Sequence, residues 1–146
     1  MYRRILILIL AAALLVMVAY KQHWYPFMQE PADLDSAQSA FAINEQMQQA
    51  FDAGQGVWLV FSSATWPACV QLEKLAGPVM LEYQGKVSLV KVDVNKADNQ
   101  DMLRQYPIQY VPTSYFMDKQ GNISFSAVGV LEPDEIRAEL NKVVSD

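Results

Sequence analysis

The chain has 146 residues, of which 52% are hydrophobic, and its 16 acidic and 11 basic residues give a formal charge of −5. A chain of this size and composition fits one small domain with one hydrophobic core, and its acidity disfavours binding to nucleic acids. The single cysteine excludes any disulfide within the chain, and therefore a disulfide-stapled domain.

The first element is an apolar N-terminal segment. Arg3 and Arg4 precede sixteen uncharged, mostly apolar residues at positions 5–20, which would span about 24 Å as a helix. This length is at the short end for a membrane span. The run ends without a small-x-small cleavage site, and Trp24 follows closely, as interfacial aromatic residues do. We predict a transmembrane anchor over residues 1–20, with a cleaved signal peptide as the alternative.

The charge pattern predicts how such an anchor is oriented. Arg3 and Arg4 place the N-terminus in the cytoplasm by the positive-inside rule, so the remainder would lie outside the inner membrane, in a bacterial periplasm. Without Arg3, Arg4 and Lys21, eight basic and sixteen acidic residues remain, a net charge of −8, which again disfavours a nucleic-acid partner. His23 is the only histidine and has no second ligand at metal-binding spacing, so no metal or cofactor is predicted.

Residues 21–35 show no helical or strand period of apolar residues, which predicts a linker. A domain over residues 36–146 follows it. Asp35 and Ser36 are suitable caps for a helix over residues 37–53. The glycines at positions 54 and 56 would end it. Helical spacing predicts that its inward side chains are Phe41, Ile43, Met47 and Phe51.

A continuous apolar run at residues 57–61 predicts a strand buried on both faces, hence a sheet covered by helices. Pro67 fits the first position of the next helix. Cys69 then lies in the first turn, where unpaired N–H groups and the helix dipole favour a thiolate. We expect this second helix to be bent or interrupted at Gly77 and Pro78.

The remaining pattern predicts a mixed sheet. Residues 86–94 form a strand and residues 98–106 a short helix, so the order implies a right-handed parallel crossover. Residues 113–117 and 123–128 form an antiparallel hairpin. A last helix is predicted to begin within residues 131–135, with Ile136, Leu140 and Val143 as its inward side chains.

Several segments together resemble thioredoxin-like proteins over roughly residues 37–145. Residues 65–69, Thr-Trp-Pro-Ala-Cys, resemble the segment that carries the family's Cys-x-x-Cys motif. Residues 89–94 resemble the next strand, 110–113 the cis-proline loop, and 118–122 the hairpin turn. Gly129 falls where the family has a groove glycine. The resemblance implies a three-layer α/β thioredoxin-like fold with a central mixed sheet flanked by helices, here preceded by an N-terminal transmembrane helix.

Three departures from the family bear on function. Trp66 stands where the resemblance places the attacking cysteine, Cys69 stands at the resolving position, and Val60 replaces a buried aspartate that assists proton transfer. Thiol–disulfide exchange needs an attacking and a resolving thiol, and one cysteine supplies only one of them. Valine cannot carry protons. The resemblance therefore implies the fold without its dithiol chemistry.

We accordingly expect a membrane-tethered binding or accessory module whose partner is a protein of a membrane or envelope complex. The alternative is a thiol–disulfide oxidoreductase in which Cys69 reacts with a partner thiol. A peroxidase of the peroxiredoxin type is disfavoured, because Trp66 occupies the position of its required threonine. The resemblance implies a partner-binding groove made of Trp66, Pro67, Val111, the cis-proline Pro112, and Gly129. Trp66 is expected either to anchor a partner there or to fold over Cys69 and Pro112 as a plug.

Overall fold

The computed structural model describes the backbone of residues 33–145 and the side chains of residues 43–145. A 3-10 turn at Ala97–Asn99 precedes the third helix. In chain order the helices and strands are α1 (Asp33–Asp52), β1 (Gly56–Ser62), α2 (Pro67–Glu82), β2 (Val87–Asp93), α3 (Gln100–Gln105), β3 (Thr113–Met117), β4 (Ile123–Val128) and α4 (Pro133–Ser145).

The four strands form one mixed sheet in the order β2-β1-β3-β4. Strand β1 pairs in parallel with β2, so that Trp58 lies opposite Leu89. On its other side β1 pairs antiparallel with β3, and Trp58 lies opposite Phe116. Strands β3 and β4 form the antiparallel hairpin. Six of the seven residues of β1 are buried, which confirms the prediction of a strand covered on both faces.

Each face of the sheet packs against its own pair of helices. On one face, α1 and α3 contribute side chains to a cluster that contains Ile43, Met47, Leu59, Phe61, Met102 and Tyr115. On the other face, α2 and α4 do so in a cluster that contains Trp58, Val60, Leu72, Val79, Phe116, Ile136, Leu140 and Val143. The predicted inward residues of the last helix are thus confirmed. The described domain is a three-layer α/β fold.

Helix α1 begins earlier than the sequence predicted. It starts at Asp33, inside the segment assigned to a linker, so Asp35 and Ser36 lie within the helix and do not cap it. Acidic side chains are compatible with the first turn because they face the positive end of the helix dipole. Ile43 and Met47 are buried as predicted and Phe51 is partly buried, whereas the side chain of Phe41 lies outside the described residues.

The sequence predicted that helix α2 is bent or interrupted at Gly77 and Pro78. The prediction of an interruption is wrong. The helix is continuous from Pro67 to Glu82 with Pro78 inside it. Pro78 lacks the N–H that would bond to the Lys74 carbonyl in the helical ladder, but Lys74 is exposed. Water can therefore hydrogen-bond the carbonyl group that loses its partner, and the helix continues.

The β3–β4 turn follows its sequence signature. The Asp118 N–H donates to the Asn122 carbonyl at 3.0 Å, and the Gly121 N–H donates to the Asp118 carbonyl at 3.0 Å. Gly121 has φ +85°, a conformation that glycine adopts without steric cost. The turn brings Ile123 opposite Met117, and a one-residue irregularity between Phe116 and Met117 then brings Val128 opposite Thr113.

The predicted anchor over residues 1–20 and the predicted linker up to residue 32 lie outside the described residues. Within residues 33–145, no helix is both long enough and apolar enough to span a membrane.

Candidate functional site

The motif segment lies at the start of α2, where the chain leaves the carboxyl end of β1. Pro67 occupies the first turn as predicted, and Trp66 precedes it with an extended backbone, φ −88° and ψ 123°. The Trp66 carbonyl accepts the N–H groups of Cys69 at 3.0 Å and Val70 at 3.1 Å. No side chain caps the helix, and 56% of the Trp66 surface is exposed.

Cys69 is held inside the fold. Only 5% of its surface is exposed, and its Sγ accepts the backbone N–H of Ser63 at 3.4 Å. The hydroxyl group of Ser63 is in turn fixed by Asn95 Nδ2, which donates to it at 2.7 Å. The sulfur thus has a backbone donor and a supported loop beside it, whereas Trp66 points its apolar surface toward solvent.

Val60 lies on the same side of the sheet as Cys69. The two side chains help to line a partly open cavity of about 130 Å3 between α2 and the β2 side of the sheet. Val60 is 6% exposed and Trp58 is fully buried, and neither side chain can accept or release a proton near neutral pH. The position that the resemblance assigns to the buried aspartate therefore provides no general base. The carboxylates that line the cavity are Asp93 and Glu73, and Glu73 is ion-paired with Lys91.

The proline loop lies next to the end of β4. The Val111–Pro112 peptide bond is cis, as the resemblance implied. The Gly129 N–H donates to the Pro112 carbonyl at 2.8 Å, and Thr113 Oγ1 donates to the Tyr110 carbonyl at 2.6 Å. Gly129 has φ +100°, a left-handed conformation that disfavours residues with a Cβ atom. These contacts fix the backbone on both sides of Pro112.

Trp66 and Val111 come together in an open groove of about 440 Å3. No charged side chain lines the groove, and its exposed aromatic residues are Tyr110 and Trp66, with 69% and 56% of their surfaces accessible. The complete lining is Trp66, Val94, Leu103, Ile108, Gln109, Tyr110 and Val111. Exposed apolar surface of this kind marks interaction sites more often than inert surface.

Three of the five predicted groove residues do not line this groove. Pro67 is exposed at the start of α2, Pro112 is buried, and Gly129 is partly buried. Pro112 and Gly129 support the groove through their mutual hydrogen bond, because that bond holds the loop that carries Val111. The exposure of Trp66 supports the anchor alternative over the plug alternative.

The sequence reasoning missed the far wall of the groove. Ile108 and Tyr110 stand between Pro107 and Pro112, in a stretch too short for an element and more apolar than an ordinary loop. That composition was the available signal. Tyr106 packs against the same core cluster as Ile108. Burial first and the neighbouring Tyr115 second raise the pKa of Tyr106, so its hydroxyl stays protonated at physiological pH.

No group of histidine, cysteine or carboxylate side chains in the described domain is arranged to hold a metal ion. His23 lies outside the described residues. The arrangement of the site offers apolar surface and backbone hydrogen-bonding groups, and its sulfur is shielded.

Comparisons with known proteins agree on the fold. A family model described as a thioredoxin-like domain matches residues 43–144. No curated protein sequence matches the chain. Among solved structures, chloroplastic thioredoxin z is similar at 23% identity and a TM-score of 0.59, covering 70% of this chain and 90% of that chain.

Two further structures are similar at lower identity. The germline-specific thioredoxin Deadhead of Drosophila melanogaster is 19% identical with a TM-score of 0.59, and the match covers 70% of this chain and 94% of that one. A malarial protein is 17% identical with a TM-score of 0.55, and the match covers 62% of this chain and 98% of that one. At these identities the structural similarity establishes the fold alone.

Proposed function

Because the chain belongs to the thioredoxin-like domain family, we propose that it is a membrane-tethered binding or accessory module without dithiol redox chemistry. The observation that carries the proposal is the contrast within one helical turn between Trp66, which is 56% exposed, and Cys69, which is 5% exposed. The position that the resemblance assigns to an attacking thiol presents an aromatic ring to solvent. The surface suits binding, and the sulfur is shielded from attack.

The cysteine content of the sequence supports the absence of dithiol chemistry. Exchange through an internal disulfide requires two cysteines, and the sequence contains one. Cys69 would have to act with a partner thiol, which is the alternative function. Its burial, with 5% of its surface exposed, disfavours that alternative, because an attacking sulfur must be accessible to the sulfur of its target.

The binding role is supported by the groove beside Trp66. An extended partner segment could place apolar side chains between Trp66 and Tyr110 while its backbone pairs next to Val111. Tryptophan and tyrosine are enriched among the residues that contribute most to binding energy. The groove lining carries no charge, so we propose a partner that is a protein with an apolar extended segment, within a membrane or envelope complex.

The tether is proposed from the sequence alone. The apolar residues 5–20 follow Arg3 and Arg4, which favours an inner-membrane anchor with the domain in the periplasm. An alkaline phosphatase fused to the C-terminus should be active, and the purified protein should retain its N-terminus. Recovery of a soluble form that starts after Ala19 would contradict the anchor and favour the signal peptide.

The chemical part of the proposal is tested by insulin reduction. The unmodified protein should be inactive, whereas Trp66→Cys should give at least weak activity because it supplies the missing thiol next to Pro67. Cys69→Ser is the matched control and should change nothing in the unmodified background. Turnover by the unmodified protein that disappears in Cys69→Ser would establish the alternative function instead.

A further inference from the structure

Ser63 holds the loop between β1 and α2 through several hydrogen bonds. It is buried, with 6% of its surface exposed. Its carbonyl accepts the Trp66 N–H at 3.2 Å, and its own N–H donates to Cys69 Sγ at 3.4 Å. Its hydroxyl oxygen lies 3.1 Å from Thr65 Oγ1. The backbone that carries Trp66 into α2 therefore depends on the position of Ser63.

Another contact of Ser63 comes from outside this loop. Asn95 Nδ2 donates to the Ser63 hydroxyl oxygen at 2.7 Å, so the proton of that hydroxyl group is free to be donated to Thr65 Oγ1. Two hydrogen bonds in series then connect Asn95, Ser63 and Thr65, the residue that directly precedes Trp66. Hydrogen bonds in such a series strengthen one another. Asn95 thus acts on the loop from the end of β2.

Asn95 is itself fixed in place by the connection between β2 and α3. Its N–H donates to Asp93 Oδ1 at 3.0 Å, and the Asp93 carbonyl accepts Asn99 Nδ2 at 2.8 Å. Asn99 is buried and ends the 3-10 turn that precedes α3. The amide of Asn95 is therefore presented to Ser63 from a connection that has hydrogen bonds of its own.

The hydrogen bond between Asn95 and Ser63 joins two parts of the groove lining. Trp66, three residues after Ser63, belongs to the first part. Val94, next to Asn95 in sequence, and Leu103 in α3 belong to the second. The residue pairing of β1 with β2 ends before Ser63 and Asn95, so their side-chain bond continues the connection beyond the sheet. The distance between the two parts of the lining therefore depends on this bond.

We propose that Asn95 is a positioning residue for the groove at Trp66. It holds the hydroxyl group of Ser63, and Ser63 holds the Trp66 backbone through its carbonyl, so the ring is in place before a partner segment binds. A surface that is ordered in advance loses less conformational entropy on binding. The inference rests on the binding function proposed for the groove. Asn95 does not line the groove and acts through Ser63.

The first test measures amide hydrogen exchange at Trp66 in the full-length chain in mild detergent. Asn95→Ala should speed exchange of the Trp66 N–H by about fivefold, because the loop opens more often once it loses this hydrogen bond. Ser63→Ala removes the hydroxyl group, keeps the backbone groups, and should have a similar effect. The double variant should exchange no faster than the faster single variant, since both changes remove the same bond.

The second test separates a positioning role from a loss of stability. Asn141→Ala is the matched control, because it removes the acceptor of the hydrogen bond from Tyr83, 2.8 Å long, at the other end of α2. Both variants should lower the melting temperature slightly, but only Asn95→Ala should change exchange at Trp66. Only Asn95→Ala should weaken binding of a capped synthetic heptapeptide that alternates valine with serine, by about threefold or more. The peptide is uncharged, like the groove lining.

Three outcomes would overturn the proposal: unchanged exchange at Trp66 in Asn95→Ala, additive effects of Asn95→Ala and Ser63→Ala, or equal peptide affinity of Asn95→Ala and the unmodified chain. A peptide that does not bind even the unmodified chain would contradict the binding function of the groove instead, and exchange at Trp66 would still decide the role of Asn95. Should Ser63→Ala fail to fold, the comparison of Asn95→Ala with Asn141→Ala decides the question. Asn95 is exposed, so its truncation leaves no cavity.

Discussion

The two ends of helix α2 differ in what their side chains do. At its last turn, Glu82 accepts hydrogen bonds from Arg137, with a shortest distance of 2.7 Å, and Tyr83 Oη donates to Asn141 Oδ1 at 2.8 Å. At its first turn, Trp66 lies exposed and no side chain caps the helix. The end remote from the groove is therefore hydrogen-bonded to α4, whereas the end at the groove leaves the apolar surface of Trp66 exposed.

From this difference we expect the last turn of α2 to contribute mainly to stability and the first turn mainly to partner binding. Loss of a side chain at the last turn, or in the α2–α4 layer beneath it, should change the free energy of unfolding. Loss of a side chain at the first turn should change partner affinity and leave unfolding nearly unaltered. Functional surfaces often keep groups that folding alone would not favour. Four measurements test this division.

The largest effect is expected for Leu140→Ala. Leu140 is fully buried in the layer between α4 and the sheet, so truncation leaves a cavity and should lower the free energy of unfolding by about 2–5 kcal/mol. Chemical denaturation measures it. Val144→Ala on the same helix is the control, because Val144 is 40% exposed and its truncation should cost less than about 1 kcal/mol. Equal losses in the two variants would mean that the α4 packing described here is wrong.

The next effect is a loss of binding at the groove. Trp66→Ala should weaken partner association by roughly 2 kcal/mol and leave the melting temperature nearly unchanged, since the ring is 56% exposed. Co-purification and thermal melting measure the two quantities. A lowered melting temperature together with new alkylation of Cys69, at unchanged association, would show that the ring serves as a plug.

A smaller change is expected for Tyr83→Phe at the other end of the helix. It removes the hydroxyl group that donates to Asn141 and keeps the buried ring, so unfolding should become easier by about 1 kcal/mol. Partner binding should not change. Tyr110→Phe is the matched control, because that tyrosine is exposed in the groove. A binding defect in Tyr83→Phe would contradict the separation of the two ends.

The smallest effect concerns pH. The hydrogen bond from Arg137 holds the pKa of Glu82 below its ordinary value of 4.5. A carboxyl group whose pKa is lowered by folding contributes stability above its unfolded pKa, and that contribution is lost as the pH falls through the folded pKa. Glu82→Gln should therefore have a lower melting temperature than the unmodified protein at pH 7, and the difference should shrink below pH 4.5. A difference that is constant with pH would argue against the ion pair.

The sequence predicted the sheet well because the apolar run of β1 leaves few alternatives. Strand β1 is buried on both faces, and the hairpin turn is fixed by local residues such as Asp118 and Gly121. The predicted start of α1 was wrong because Asp33 and Ser36 are both acceptable residues near a helix start, and the local sequence does not select between them. The expected interruption at Pro78 was wrong because its cost depends on exposure, which the local sequence does not encode.

The candidate site was predicted in part. Trp66 and Val111 could be placed together because the resemblance supplied the relation between the motif and the proline loop. Val94 and Leu103 could not, since β2 and α3 bring them to the groove through contacts distant in sequence. The position of β2 at the outside of the four described strands was likewise not predictable, because strand order is a property of the assembled sheet.

The contrast between the two tryptophans of the described domain also has an optical consequence. Trp58 is fully buried and stacks on Phe116 with ring centroids 5.0 Å apart, whereas Trp66 lies in solvent. Fluorescence from Trp58 should be blue-shifted and inaccessible to acrylamide, and fluorescence from Trp66 red-shifted and readily quenched. In a Trp24→Phe background, a ligand that covers the groove would shield only the second emitter. The chain thus contains its own reporter of occupancy alongside its own reporter of folding.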